Sequence, residues 1–132
     1  MERKPEAIKL HLLKAYQLLE DVDVLIENTR YTSIIRRLYY ACFHPASALL
    51  LSKELTSKTH KGLQVLLQKH FVVEGVLDFS QAKFFARLFE ERMEDDYGDF
   101  YISNKEDVIN YINPAKDFIS NIDNILRDYV SN

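Results

Sequence analysis

The 132 residues fit one domain, 1–132, and their 47% apolar content, with eight Phe and eight Tyr, excludes a disordered chain. Three Gly and three Pro favour long helices over a turn-rich β fold, and the single cysteine, Cys42, excludes an internal disulfide. A net charge of −3 argues against a general nucleic-acid coat, and the lack of a cationic-apolar leader or a membrane-length apolar run predicts a soluble, cytoplasmic protein without membrane contact.

In chain order, a first helix is predicted over 5–28. Its apolar stripe runs Ile8, Leu12, Ala15, Leu18/Leu19, Val22 and Leu25/Ile26 at three- and four-residue steps. Asn28-Thr29-Arg30 reads as the turn into a second helix, about 31–54, with Ile34/Ile35, Leu38, Ala41/Cys42 and Leu49 to Leu51 on its apolar face. Pro45 lies inside it, removes one backbone hydrogen bond and predicts a bend beside His44. Thr59 is a natural N-cap for a third helix reaching about Val72, which Gly75 ends. Asp78 or Ser80 opens a fourth, with Phe84/Phe85, Leu88/Phe89 and Met93 inward, ending near Tyr97-Gly98. Ser103-Asn104-Lys105-Glu106 has the spacing of a capping box for a last helix to about Val130, whose stripe keeps phase across Pro114. Four or five amphipathic helices with short connections make an all-α, antiparallel up-and-down bundle.

Charge is unevenly spread. Residues 31–72 hold six Lys or Arg against one acid, whereas 73–99 hold three against eight acids. Either the two segments pack together, the favoured reading, or one basic face meets a polyanion.

The chemistry-bearing residues concentrate on the second helix. Arg37 and His44 are seven positions apart, so they share a face with Cα atoms about 10.5 Å apart along the axis. Ser33 precedes Arg37 by one turn and Tyr40 lies between the pair, giving a polar ridge on an otherwise apolar helix. Cleaving RNA without a metal needs a base for the ribose 2′-hydroxyl and a cation for the phosphorane, and histidine and arginine supply these. The same ridge also suits an internal hydrogen-bond network, in which Arg37 pairs with a carboxylate on another helix. Asp96 is a candidate to orient Arg37, or else to pair with Arg92 at i, i+4. The acids from Glu90 to Asp99 read as a solvated face. Cys42 reads as a buried, inert thiol, and His11 and His70 as ordinary amphipathic positions. No phosphate loop, CxxC pair or HExxH motif is present, so no cofactor and no metal is expected.

Three blocks carry a resemblance: Arg37-Leu38-Tyr39-Tyr40-Ala41-Cys42-Phe43-His44 with Ala48-Leu49-Leu50, then Thr59-His60-Lys61-Gly62, then Arg92 with Asp96-Tyr97. In this order and spacing the chain resembles the HEPN domain family, in particular its small stand-alone prokaryotic branch. The resemblance implies an antiparallel helical bundle, a homodimer, and a metal-independent ribonuclease site formed at the dimer interface by an arginine and a following histidine, here Arg37 and His44. It also implies pairing with a small nucleotidyltransferase, with the HEPN protein as toxin or partner half. Other members are inactive scaffolds, or modules that bind nucleotides or proteins.

Overall fold

The computed structural model describes residues 4–31, 33–97 and 105–131, with the side chains at 94–97, 105, 107 and 128–131 outside the description. Among the described residues five α-helices follow one another: α1 (Lys4–Glu27), α2 (Ile34–Ser52), α3 (His60–Leu67), α4 (Phe79–Tyr97) and α5 (Lys105–Ser131). The fold is all-α, as the periodicity predicts, and no strand occurs among the described residues.

The α1 stripe is buried as Ile8, Leu12, Ala15, Leu19 and Val22, and α5 buries Val108, Ile112, Ala115, Phe118, Ile119, Ile122 and Leu126. Between them lies α2, whose apolar faces are broad enough to bury eleven residues. It packs against α1, α3, α4 and α5. Direction follows from paired residues. Lys4 meets Glu54 while His11 meets His44, so α1 and α2 run antiparallel. Tyr16 meets Asp123 while Asp23 faces Lys116, so α1 and α5 do as well.

Local details refine the predicted boundaries. Thr29 and Ser33 both adopt left-handed backbone (φ 54° and 74°), which turns the chain between α1 and α2 and delays α2 until Ile34, three residues later than the pattern suggests. Pro45 lies inside a continuous α2 and leaves the Ala41 carbonyl without its usual i+4 donor. Thr59 caps α3 as predicted, its Oγ1 accepting from the Gly62 N–H at 2.9 Å. The apolar run to Val72 is not all α-helix. After Leu67 the chain widens into one π-helical turn, Gln68–Val72, closed by the Val73 N–H to the Gln68 carbonyl at 3.0 Å. Gly75, at φ 78°, then ends it. The capping serine predicted for α5, Ser103, lies outside the described residues.

The oppositely charged segments do pack together. Helix α4 lies against α2 and α3, and the Lys53 ammonium reaches both Glu74 and the His70 carbonyl.

Candidate functional site

The predicted ridge divides into two environments. On its outer part, Ser33 and Arg37 meet as the i, i+4 spacing requires, with Arg37 Nη1 donating to Ser33 Oγ at 2.8 Å. Ser33 makes no side-chain cap bond to α2, so its hydroxyl serves the guanidinium instead. Its left-handed backbone, uncommon for a residue with a Cβ, is the kind of local strain that surrounding structure must hold in place.

His44, two turns along, meets His11 of α1. The two Nδ1 atoms stand 3.0 Å apart and the ring centroids 5.2 Å. Burial, the neighbouring His11 ring and the Lys14 ammonium push the His44 pKa down to about 4. Burial, with Lys14 second, lowers that of His11 as well. His44 is therefore neutral at physiological pH, and among the described residues its Nε2 has no hydrogen-bond partner. A neutral imidazole with one nitrogen engaged and the other open is the form a general base needs.

Tyr40 belongs to the second environment. Its hydroxyl accepts from Arg92 Nη1 at 3.3 Å, and no hydrogen bond joins it to Arg37 or His44 among the described residues. Arg92 is 8% exposed, and its guanidinium carbon lies 5.3, 5.8 and 5.4 Å from the ring centres of Tyr39, Tyr40 and Phe89. Buried arginine is tolerated there because three π faces and a phenol oxygen replace part of its water. Tyr39 is fully buried and its hydroxyl meets His60 Nδ1 at 2.5 Å. Burial pushes the Tyr39 phenol well above its usual range, whereas burial and Arg92 lower His60. Tyr39 also stacks on Phe85, which stacks on Phe118, at 5.4 and 5.3 Å. Among the described side chains, the three sequence blocks thus meet at Tyr39, with His60 on its hydroxyl and Arg92 over its ring.

The Thr59-His60-Lys61-Gly62 block gains a physical meaning here. A Cβ on Gly62 would stand 2.5 Å from Ser57 Oγ and 2.8 Å from Thr59 Oγ1, so any larger residue displaces these two hydroxyls and loosens the cap. The cap in turn starts α3 where His60 reaches Tyr39.

Other sequence candidates resolve simply. Cys42 is fully buried, its thiol pushed far up by burial and aimed at the Ala115 carbonyl at 3.9 Å. The Asp96 side chain lies outside the described residues. Among the described residues no group of three His, Cys, Asp or Glu side chains is placed to hold a metal ion, and no helix is long and apolar enough to cross a membrane. Sequence reasoning missed His11. It is 33 positions from His44, and only the antiparallel register of α1 on α2 makes them neighbours. His11 also lines a cleft of about 240 Å³ with Phe43, Ser47, Leu51, Thr56 and Leu63.

The model of the HEPN domain matches residues 8–125, a span that takes in the ridge, the α3 cap and Arg92. The chain belongs to the HEPN family. Its relatives agree with that placement. A UPF0332 protein of Thermotoga maritima is 34% identical over 128 residues, 97% of each chain. A UPF0332 protein of Archaeoglobus fulgidus is 31% identical over 92% of this chain and 97% of its own. A Methanocaldococcus jannaschii protein named as a candidate toxin is 34% identical over 70% of this chain and 69% of its own.

Proposed function

We propose that this HEPN protein is a metal-independent endoribonuclease of the toxin class, acting as a homodimer whose two ridges face one RNA. The observation that carries this reading is the state of His44, which is neutral, tied through Nδ1 to His11 and open at Nε2, two turns from the guanidinium of Arg37. In the reaction His44 Nε2 removes the proton of a ribose 2′-hydroxyl, and the 2′-oxygen attacks the adjacent phosphorus. The P–O5′ bond breaks and the 5′-oxygen leaves with a proton. Arg37 grips the non-bridging oxygens and offsets the charge that builds on the phosphorane. Ser33 holds Arg37, Tyr40 borders the site from the Arg92 side, and Asp96 is assigned the orientation of Arg37. Localisation in the cytoplasm and a small nucleotidyltransferase as the neutralising partner complete the reading. The relatives named as candidate toxins support it.

A second reading has its own support. Arg37, His44 and Tyr40 each have an internal partner, in Ser33, His11 and Arg92, which also suits a non-catalytic module that binds nucleotide or protein. One experiment separates them. Total RNA is incubated with wild type, Arg37→Ala and His44→Ala in the presence of a chelator. Cleavage by wild type alone, with all three proteins folded, carries the nuclease. No cleavage by wild type, or equal cleavage by all three, gives the module. Co-purification with the product of a neighbouring nucleotidyltransferase frame tests the pairing.

A further inference from the structure

Two Nδ1 atoms 3.0 Å apart impose a rule on the rings that carry them. At that separation two N–H groups collide and two lone pairs repel, so one nitrogen carries a proton and the other accepts it. A neutral imidazole has a single N–H. Whichever way the shared proton lies, it therefore also decides what His44 presents at Nε2, a lone pair or a proton. Only the lone pair can take a proton from a hydroxyl.

We propose that His11 is a positioning residue that accepts the Nδ1 proton of His44 and so leaves the His44 Nε2 as a bare lone pair facing RNA. The proposal deepens the nuclease reading and rests on it. One feature of the site favours this direction over its reverse. His11 lines the open cleft, where its remaining N–H at Nε2 can meet water, while His44 Nε2 has no partner to which it would need to donate among the described residues. Lys14, three residues beyond His11 on α1, places a positive charge near both rings and disfavours an extra proton on the pair, whichever way the bridge points, so the neutral, singly bridged state prevails. With the direction set, His44 accepts the 2′-hydroxyl proton at Nε2 and can return it to the leaving 5′-oxygen, while His11 holds the ring in plane and tautomer.

The test reads the tautomer directly. Two-bond nitrogen–proton NMR correlation at about pH 7.5, where free imidazole is mostly neutral, should show His44 protonated at Nδ1 in the wild type. In His11→Phe, which keeps ring bulk but removes the acceptor, His44 should move to the Nε2–H form. In His11→Gln, whose amide oxygen accepts in place of the imidazole, the Nδ1–H form should persist. Cleavage of RNA should follow the tautomer, with kcat falling about tenfold to a hundredfold in His11→Phe at unchanged KM. His11→Gln should stay within about threefold of wild type, since the acceptor is restored. Thermal melts of both variants establish that they fold. A wild-type His44 protonated at Nε2 overturns the proposal, as does a His11→Phe protein with unchanged tautomer or unchanged kcat. If the wild type cleaves no RNA, the nuclease reading falls, and the NMR result alone decides whether His11 accepts from His44.

Discussion

His44 and His60 come from two of the three family blocks, and each has one Nδ1 partner, yet the fold uses them differently. His60 receives a buried phenol, Tyr39, and lies beside the Arg92 guanidinium among stacked rings. His44 receives another histidine across the α1–α2 seam. The node around Tyr39 ties α2, α3, α4 and α5 through contacts that a stable core needs. The pair around His44 ties only α1 to α2. Neither ring has a hydrogen-bond partner at Nε2 among the described residues, and the surroundings of the Nδ1 contact, an aromatic core for His60 and a two-helix seam for His44, set them apart.

The sharpest way to break that contrast is to truncate both sides. His44→Ala should lower RNA cleavage by about a hundredfold or more, the usual worth of a general acid/base, while its melting temperature barely moves. A large fall in the melting temperature would place His44 with His60 as a structural residue. Arg92→Ala should do the reverse and cost about 2–3 kcal/mol in a urea titration, because it leaves a buried hole lined by Tyr39, Tyr40 and Phe89. Unchanged stability would show that the node does not hold the bundle together.

Smaller perturbations refine the same comparison. Gly62→Ala should cost about 1–2 kcal/mol, since its methyl group displaces Thr59 or Ser57 from the α3 cap. Tyr39→Phe should cost about 1 kcal/mol by denaturant titration, as it removes one hydrogen bond and keeps the stacked ring. The gentlest probe is acid. His11, His44 and His60 all have folded-state pKa values below the unfolded value of about 6.5. The unfolded chain thus takes up protons first as pH falls. Stability is full above about pH 6.5 and is lost progressively toward the folded pKa, about 4 for His44. Melts recorded across that window should decline. His44→Asn should flatten part of the decline, and an unchanged slope would contradict the lowered pKa.

Much of this was legible in the sequence, and the misses share a cause. The stripes on α1 and α5, the Thr59 cap and the Ser33–Arg37 contact depend on neighbours within one turn, which periodicity reports directly. His11 beside His44 and Arg92 beside Tyr40 depend on how helices register against each other, 33 and 52 positions apart in the chain. Burial against α2 gives Arg92 aromatic faces that no spacing within α4 reports. The π turn at Gln68–Val72 was equally hidden, because one extra residue per turn barely disturbs an apolar pattern only five residues long.

Helix α2 contacts every other helix of the bundle and carries Arg37, Tyr39, Tyr40 and His44 on its own backbone. Its amides should accordingly be among the last to exchange with solvent, opening only when the whole domain opens. Lids and loops gain reach by loosening locally, and this ridge has no such freedom. Any adjustment to a ligand must come from side-chain rotation or from a second copy approaching it. The ridge behaves as an anvil, and whatever moves does so around it.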